Sequence, residues 1–436
     1  MALVPSFLEL LQPLAGVMTA PSFASFVTLL TGWVFARRRT VTGMILAADA
    51  VGSKHHSAFH RFFAAARWSL DELGLAVFGL SQPWLAAGPV LLALDDTLAR
   101  KRGKKVFGVG MHHDPQLSSR RTAVMNWGHS WVMLGVLVNF RFAPARWFCL
   151  PILLRLYRSR QTVAKHGGRY ATRPELALEL LHLLCARFPR LRFHAVADAA
   201  YGGQHVLRNL PCACQLTSRL VMDARLYAAP PTRRRGQTGR PRTRGPRLPT
   251  PAEMLTPRAR RLTLHIYGRD DRVRLADMLA RVHAVPWRRL RVVAVEPLTG
   301  GRPRQAFYST DPSLSAEAIL VLYAKRWAIE QTFQDSKTHL GFEQPQGWTR
   351  PAVERSAPTG MLLYSLIVLW FAAAGQRTYQ PLHRPWYAQK RTPSFADMLG
   401  TLRGDSVAMG VLNRPHSGRG RRNLVSTLRH LVQQAA

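Results

Sequence analysis

Residues 323–337 read Tyr323-Ala-Lys-Arg326-Trp-Ala-Ile-Glu330-Gln-Thr-Phe-Gln-Asp-Ser-Lys337, and the rest of the chain is interpreted outward from them. On an α-helix of about 3.6 residues per turn, Tyr323, Arg326, Glu330 and Lys337 fall within roughly 60° of arc. A phenol, a guanidinium, a carboxylate and an ammonium on one stripe do not make an apolar packing seam. They suit a helix laid along a phosphodiester, the carboxylate on a metal ion and the cations on phosphate oxygens. The plain alternative is a solvated face whose Arg326–Glu330 pair contributes about 0.3 kcal/mol.

The composition supports a polyanionic partner. The chain has 61 Lys and Arg against 24 Asp and Glu, a formal charge of +37 over 436 residues. Such a surface draws nucleic acid by releasing its condensed counterions, whatever the base sequence. Hydrophobic residues make up 47%, enough for a sizeable core and against wholesale disorder. The length predicts several domains. Cys149, Cys185, Cys212 and Cys214 lack zinc-ligand spacing, so a reduced cytoplasmic, nucleoid-associated protein is expected. No secretory signal is read. The apolar run 360–375 is short for a bilayer span of about 20 residues, so a buried helix and no membrane partner are expected.

Apolar spacing predicts helices near 7–18, 22–36, 43–50 and 56–66, an all-α N-terminal domain (1–88) with a basic face suited to DNA. The texture then changes. Strands are predicted at 90–94, 106–111, 130–140, 148–157 and 193–197, with a helix over 172–188 between the last two. Residues 217–302 read as a β-containing insertion, with strands at 262–267 and 290–295 and a mobile basic loop carrying Arg233, Arg234 and Arg235. A strand at 305–309, the helix over 323–337 and an apolar helix over 357–375 complete the reading. This gives a catalytic core in two parts (89–216 and 303–376) and a basic C-terminal region (377–436). The class is α/β, a mixed sheet with flanking helices.

Three acids occupy telling places. Asp95 follows the apolar run 90–94, Asp198 follows the run 193–197, and Glu330 lies on the basic stripe. Carboxylates at the C-terminal tips of strands point into the crevice where open α/β sheets place their sites. Converging carboxylates repel each other unless cations lie between them. Two Mg2+ ions, with Mn2+ as a substitute, meet that need and suit in-line displacement at phosphorus.

These residues together resemble the insertion-sequence transposases of the DDE type that carry a Tyr-x2-Arg-x3-Glu-x6-Lys signature. The signature is complete at Tyr323, Arg326, Glu330 and Lys337, and the likeness extends to Asp95-Asp96-Thr97 and Val196-Ala-Asp198-Ala-Ala-Tyr201-Gly. The resemblance covers about residues 90–345 and implies a ribonuclease H-like core with a β-rich insertion before the Glu. It implies Asp95, Asp198 and Glu330 as catalytic, metal-binding acids, and Arg326 and Lys337 as holders of end phosphates with Tyr323 beside them. The first acid is a doublet. Strand neighbours face opposite sides, so one alone enters the site; Asp95 is preferred and Asp96 is the alternative. Lys101, Lys104 and Lys105 are further DNA-contact candidates. Trp327 is expected against the sheet, and His112, His113 and His129 are expected in structural or DNA-facing roles. The function implied is binding of inverted-repeat ends in double-stranded DNA, cleavage, and joining of 3′-hydroxyl ends to target DNA, by a dimer on DNA. A transposase-derived nuclease and a non-catalytic DNA-binding regulator are the alternatives.

Overall fold

The computed structural model describes residues 2–412 except 115, 120, 233–237, 267, 300, 382–384, 386–389 and 391, together with residue 432. Five helices come first: α1 (Pro5–Leu11), α2 (Ala20–Phe35), α3 (Val41–Ala47), α4 (His56–Ala64) and α5 (Leu70–Ser81). Strands β1 (Val90–Arg100), β2 (Gly110–His113), β3 (Met125–Asn139) and β4 (Trp147–Tyr157) follow, then α6 (Arg160–His166), α7 (Arg173–Arg187), β5 (Phe193–Ala197), α8 (Gln204–Asn209) and β6 (Cys214–Leu220). Next are β7 (Leu226–Tyr227), β8 (Arg247–Leu248), α9 (Pro251–Met254), β9 (Arg260–Ile266), β10 (Arg269–Val282), β11 (Leu290–Pro297) and β12 (Gln305–Ser309). The described elements end with α10 (Ala316–Ala324), α11 (Trp327–His339), α12 (Arg350–Ala373) and α13 (Phe395–Leu412).

The chain divides into two units: residues 1–85, 96–171 and 330–436, and residues 86–95 and 172–329. Strand β1 and helix α11 each run from one unit into the other. In the second unit the first half of β1 pairs in parallel with β5, from Val90 opposite Phe193 to Leu94 opposite Ala197. Strand β5 pairs in parallel with β6, and the sheet continues antiparallel through β12, β11 and β10. Val90–Leu94 and β5 are apolar without alternation because both faces are covered, the usual state of parallel strands. Helix α7 begins with a capping box, Thr172 accepting from Glu175 N–H while Glu175 accepts from Thr172 N–H.

In the first unit β3 pairs antiparallel with β2 and β4. Helix α12 is the unit's apolar axis. It packs against β4, α4, α5 and α13, with Met361, Leu363, Ile367, Val368 and Phe371 fully buried. Each such side chain contributes about 2 kcal/mol. This helix is long and apolar enough to cross a membrane, but 94% of its most apolar window is buried in the protein, as expected for a core helix. Ser365 Oγ donates to Pro151 O, and Thr332 Oγ1 donates to Cys149 O, fixing α12 and α11 on β4. Strand β1, the antiparallel set β2 to β4, then the parallel strands β5 and β6 follow the chain order of a ribonuclease H-like fold, with the β-rich insertion of β7 to β11 before the helix of Glu330.

Several local expectations are corrected. The helix over 323–337 is two helices, α10 and α11, broken at Lys325 and Arg326. Tight i→i+3 bonds replace the α pattern there, from Lys325 N to Leu322 O, Arg326 N to Tyr323 O and Ile329 N to Arg326 O. The strand expected at 106–111 starts only at Gly110. Phe107 N–H donates to Trp348 O, and Gly108 sits at φ 74°, a left-handed turn that suits glycine. Strand β10 was not anticipated, and α12 begins seven residues before the expected 357.

Candidate active site

In the second unit Asp95 lies on β1, where Leu92, Ala93 and Leu94 are fully buried. Its carboxylate accepts from Arg326 Nη1 at 2.6 Å, with 19% and 14% of the two side chains exposed. Asp96, in the first unit, instead accepts from Ser130 Oγ at 3.4 Å. The doublet is therefore split, one acid toward the guanidinium at the break before α11 and the other toward β3.

Asp198 caps a short 3-10 turn, Ala199–Tyr201, at the end of β5. Three bonds hold this turn. Tyr201 N–H donates to Asp198 O, Ser218 Oγ of β6 donates to the same carbonyl at 3.0 Å, and Tyr308 Oη of β12 donates to Gly202 O at 2.7 Å. A Cβ on Gly202 would lie 2.3 Å from Ser218 Oγ, so only glycine lets the turn close on β6. The buried Tyr201 and Tyr308 lock it from beneath.

Tyr323 is buried, its ring 4.6 Å from that of Phe307. Arg326 lies over it, Cζ 5.7 Å from the ring centroid. Burial pushes the phenol up to about 12; the nearby Asp198 carboxylate adds to this, and Arg326 and Arg219 oppose it. Tyr323, Arg326 and Asp198 thus share one electrostatic neighbourhood, with the phenol acting as a neutral prop. Arg219 belongs to the same group and was missed in the sequence. It stands on β6 opposite Phe307 of β12, and no motif marks it.

In the first unit Glu330 sits in the first turn of α11, where the helix N-terminus favours a carboxylate. Lys337, on its last turn, is half-buried; burial lowers its pKa, while the Glu343 carboxylate holds the proton on. Lys101 Nζ donates to Glu343 O and to Pro345 O, each at 2.8 Å, whereas Lys104 and Lys105 are exposed. Trp327 is 51% exposed, contrary to the expected packing on the sheet. His129 is buried, bonds Phe107 O at 2.8 Å and is lowered by burial to about 4, so it is neutral and structural. His112 is buried with its ring against Tyr157. Arg233, Arg234 and Arg235 lie outside the described residues.

Asp95, Asp198 and Glu330 offer the hard carboxylate oxygens that Mg2+ and Mn2+ prefer. Among the described residues no three His, Cys, Asp or Glu side chains are gathered as a metal site. At Asp95 the Arg326 guanidinium supplies the balancing positive charge.

A family model described as DDE superfamily endonuclease matches residues 16–285, well over half of the chain and including both Asp95 and Asp198. The probable transposase for insertion sequence element IS701 of Microchaete diplosiphon is 25% identical over 182 residues. That match spans 42% of this chain and 43% of the relative. The piggyBac transposase synaptic complex with hairpin DNA has a TM-score of 0.42 at 12% identity, covering 94% of this chain and 76% of that one, a likeness too low to argue from. On the family match, with Asp95 and Asp198 inside it, the chain belongs to the DDE superfamily of endonucleases.

Proposed function

We propose that the protein is an insertion-sequence transposase. It binds the inverted-repeat ends of its element in double-stranded DNA, cleaves there, and joins the freed 3′-hydroxyls to target DNA, as a dimer on DNA in the bacterial cytoplasm. The observation that carries the reading is the Asp95–Arg326 pair at 2.6 Å, an acid on a buried strand held by the arginine of the signature. Asp95, Asp198 and Glu330 would hold two Mg2+ or Mn2+ ions. When bound, such ions acidify the attacking water and offset charge on the leaving oxygen.

The chain's own residues do the rest. Arg326, already propped by Tyr323, passes from the Asp95 carboxylate to an end phosphate, for which its forked donors are shaped. Lys337 binds a second phosphate as a point charge. Lys104, Lys105 and the Arg233, Arg234 and Arg235 cluster add sequence-independent attraction. Water attacks phosphorus and the bond to the 3′ oxygen breaks. That 3′-hydroxyl then attacks a target phosphodiester.

The test uses a supercoiled plasmid carrying the non-coding segments that flank the gene. Wild type should nick it in Mg2+ and yield strand-transfer products. Asp198→Asn and Glu330→Gln should abolish both while retaining DNA binding. Nicking without joining would support a nuclease instead, and undiminished activity in the variants would overturn the assignment of the acids.

A further inference from the structure

The segment after β1 carries four cations in five residues, Lys101-Arg102-Gly103-Lys104-Lys105, and they do not behave alike. Arg102, Lys104 and Lys105 are exposed. Lys101 points inward. Its backbone N–H donates to Trp127 O at 2.9 Å, and its ammonium donates to Glu343 O and Pro345 O. Trp127 Nε1 in turn donates to Gly103 O at 3.2 Å. One residue earlier, Arg100 N–H donates to Glu343 Oε1 at 3.0 Å, and Arg100 Nε donates to Asp114 at 2.7 Å. The turn is therefore stitched on one side to β3 and on the other to the loop that follows α11.

Neighbouring like charges repel, and an untethered turn would spread them. Burying an ammonium to tether three exposed cations costs stability, as the depressed pKa of Lys101 indicates. What the arrangement secures is order. Cations fixed before binding lose less conformational entropy when phosphates arrive.

We propose that Lys101 is a positioning residue for DNA: it touches no phosphate itself but pins the 102–105 turn so that Arg102, Lys104 and Lys105 form a preset cationic edge. The inference rests on DNA being the substrate, and two measurements separate its failure from the failure of that reading. The first needs no DNA. In Lys101→Met, hydrogen exchange at the amides of residues 103–107 should accelerate at least tenfold, with the rest of the fold protected as in wild type. Trp127→Phe, which removes only the bond to Gly103 O, should do the same to a smaller degree and serves if Lys101→Met does not fold. Unchanged exchange in the folded variants overturns the anchor.

The second measurement titrates a fluorescent random-sequence duplex against rising salt. Lys104→Ala with Lys105→Ala should flatten the salt slope by about two. Lys101→Met should weaken binding about threefold or more in the wild-type background and have no further effect in the doubly substituted one. If Lys101→Met instead lowers the slope by about one on its own and its loss adds in full to that of the pair, Lys101 contacts phosphate directly and the proposal is wrong. If wild type binds no duplex, the DNA reading fails and this role falls with it, while the exchange data still report whether the tether exists.

Discussion

Replacing Arg326 with Met removes the cation that neutralises Asp95. At 2.6 Å and an effective dielectric of about 20, the gross attraction is roughly 6 kcal/mol. Desolvation offsets about half of it. Leaving one partner of a largely buried pair uncompensated then costs about 2–4 kcal/mol, the low end applying because both side chains keep some exposure. For a unit of this size that is a fall in Tm of roughly 5–12 °C, measured by scanning calorimetry in EDTA. Mg2+ should act unequally. In Arg326→Met an ion meets a carboxylate that the guanidinium no longer holds, and at about a hundred times Kd it returns roughly 2.7 kcal/mol. In wild type the ion must first displace the guanidinium, so the gain is smaller. Adding Asp95→Asn to Arg326→Met should relieve much of the destabilisation, because the carboxylate charge that lost Arg326 is gone. A Tm drop under about 1 °C, or equal gains from Mg2+ in both proteins, would refute the claim that Asp95 exchanges an arginine for a metal ion.

Two further outcomes are expected. Gly202→Ala forces a methyl against Ser218 Oγ, so the Asp198 turn must shift; plasmid nicking should fall at least tenfold while the free energy of unfolding falls by only about 1–3 kcal/mol, and normal nicking would show that the turn's position is not critical. Lys101 gives a pH signature. Its folded pKa is about 8 against 10.5 when unfolded, so the charged form is disfavoured by folding and unfolding takes up a proton between those values. This group's contribution to stability therefore rises with pH across that window, by about 3 kcal/mol at most. Urea unfolding of wild type and Lys101→Met at both ends of the window should show wild type gaining on the variant, and a constant gap would contradict the burial of the ammonium.

The sequence made the two central parallel strands legible because each carries a short apolar run followed by an acid, but β1 does not end at Asp95 as expected and runs on to Arg100. Strands β5 and β12 fall at the expected residues 193–197 and 305–309. Helix α7 was equally plain from its helix-forming residues and its apolar period. Strand β10 escaped because Arg269, Asp270, Asp271, Arg272 and Arg274 interrupt its apolar positions. Its place comes from pairing on both sides, with β9 and β11, which local pattern does not encode. The four-residue stripe assumed one continuous helix, and the structure divides it between α10 and α11. Periodicity cannot register a break made by three-residue hydrogen bonds at Lys325 and Arg326, and it is that break from which Arg326 reaches Asp95. Lys101 looked like its neighbours because composition does not distinguish a lysine pointing inward from one pointing out.

The interleaving of the two units has a consequence for how the chain leaves the ribosome. The second unit ends at residue 329, so every part of it, including the first half of β1, has been synthesised when that residue emerges. The first unit still lacks α12, the axis on which its earlier helices pack. Domains tend to fold as units in order of synthesis. Here the later-starting unit is complete first, and the N-terminal helices, which also pack on one another and on β4, lack the α12 part of their core for more than two hundred residues of translation beyond their own last turn.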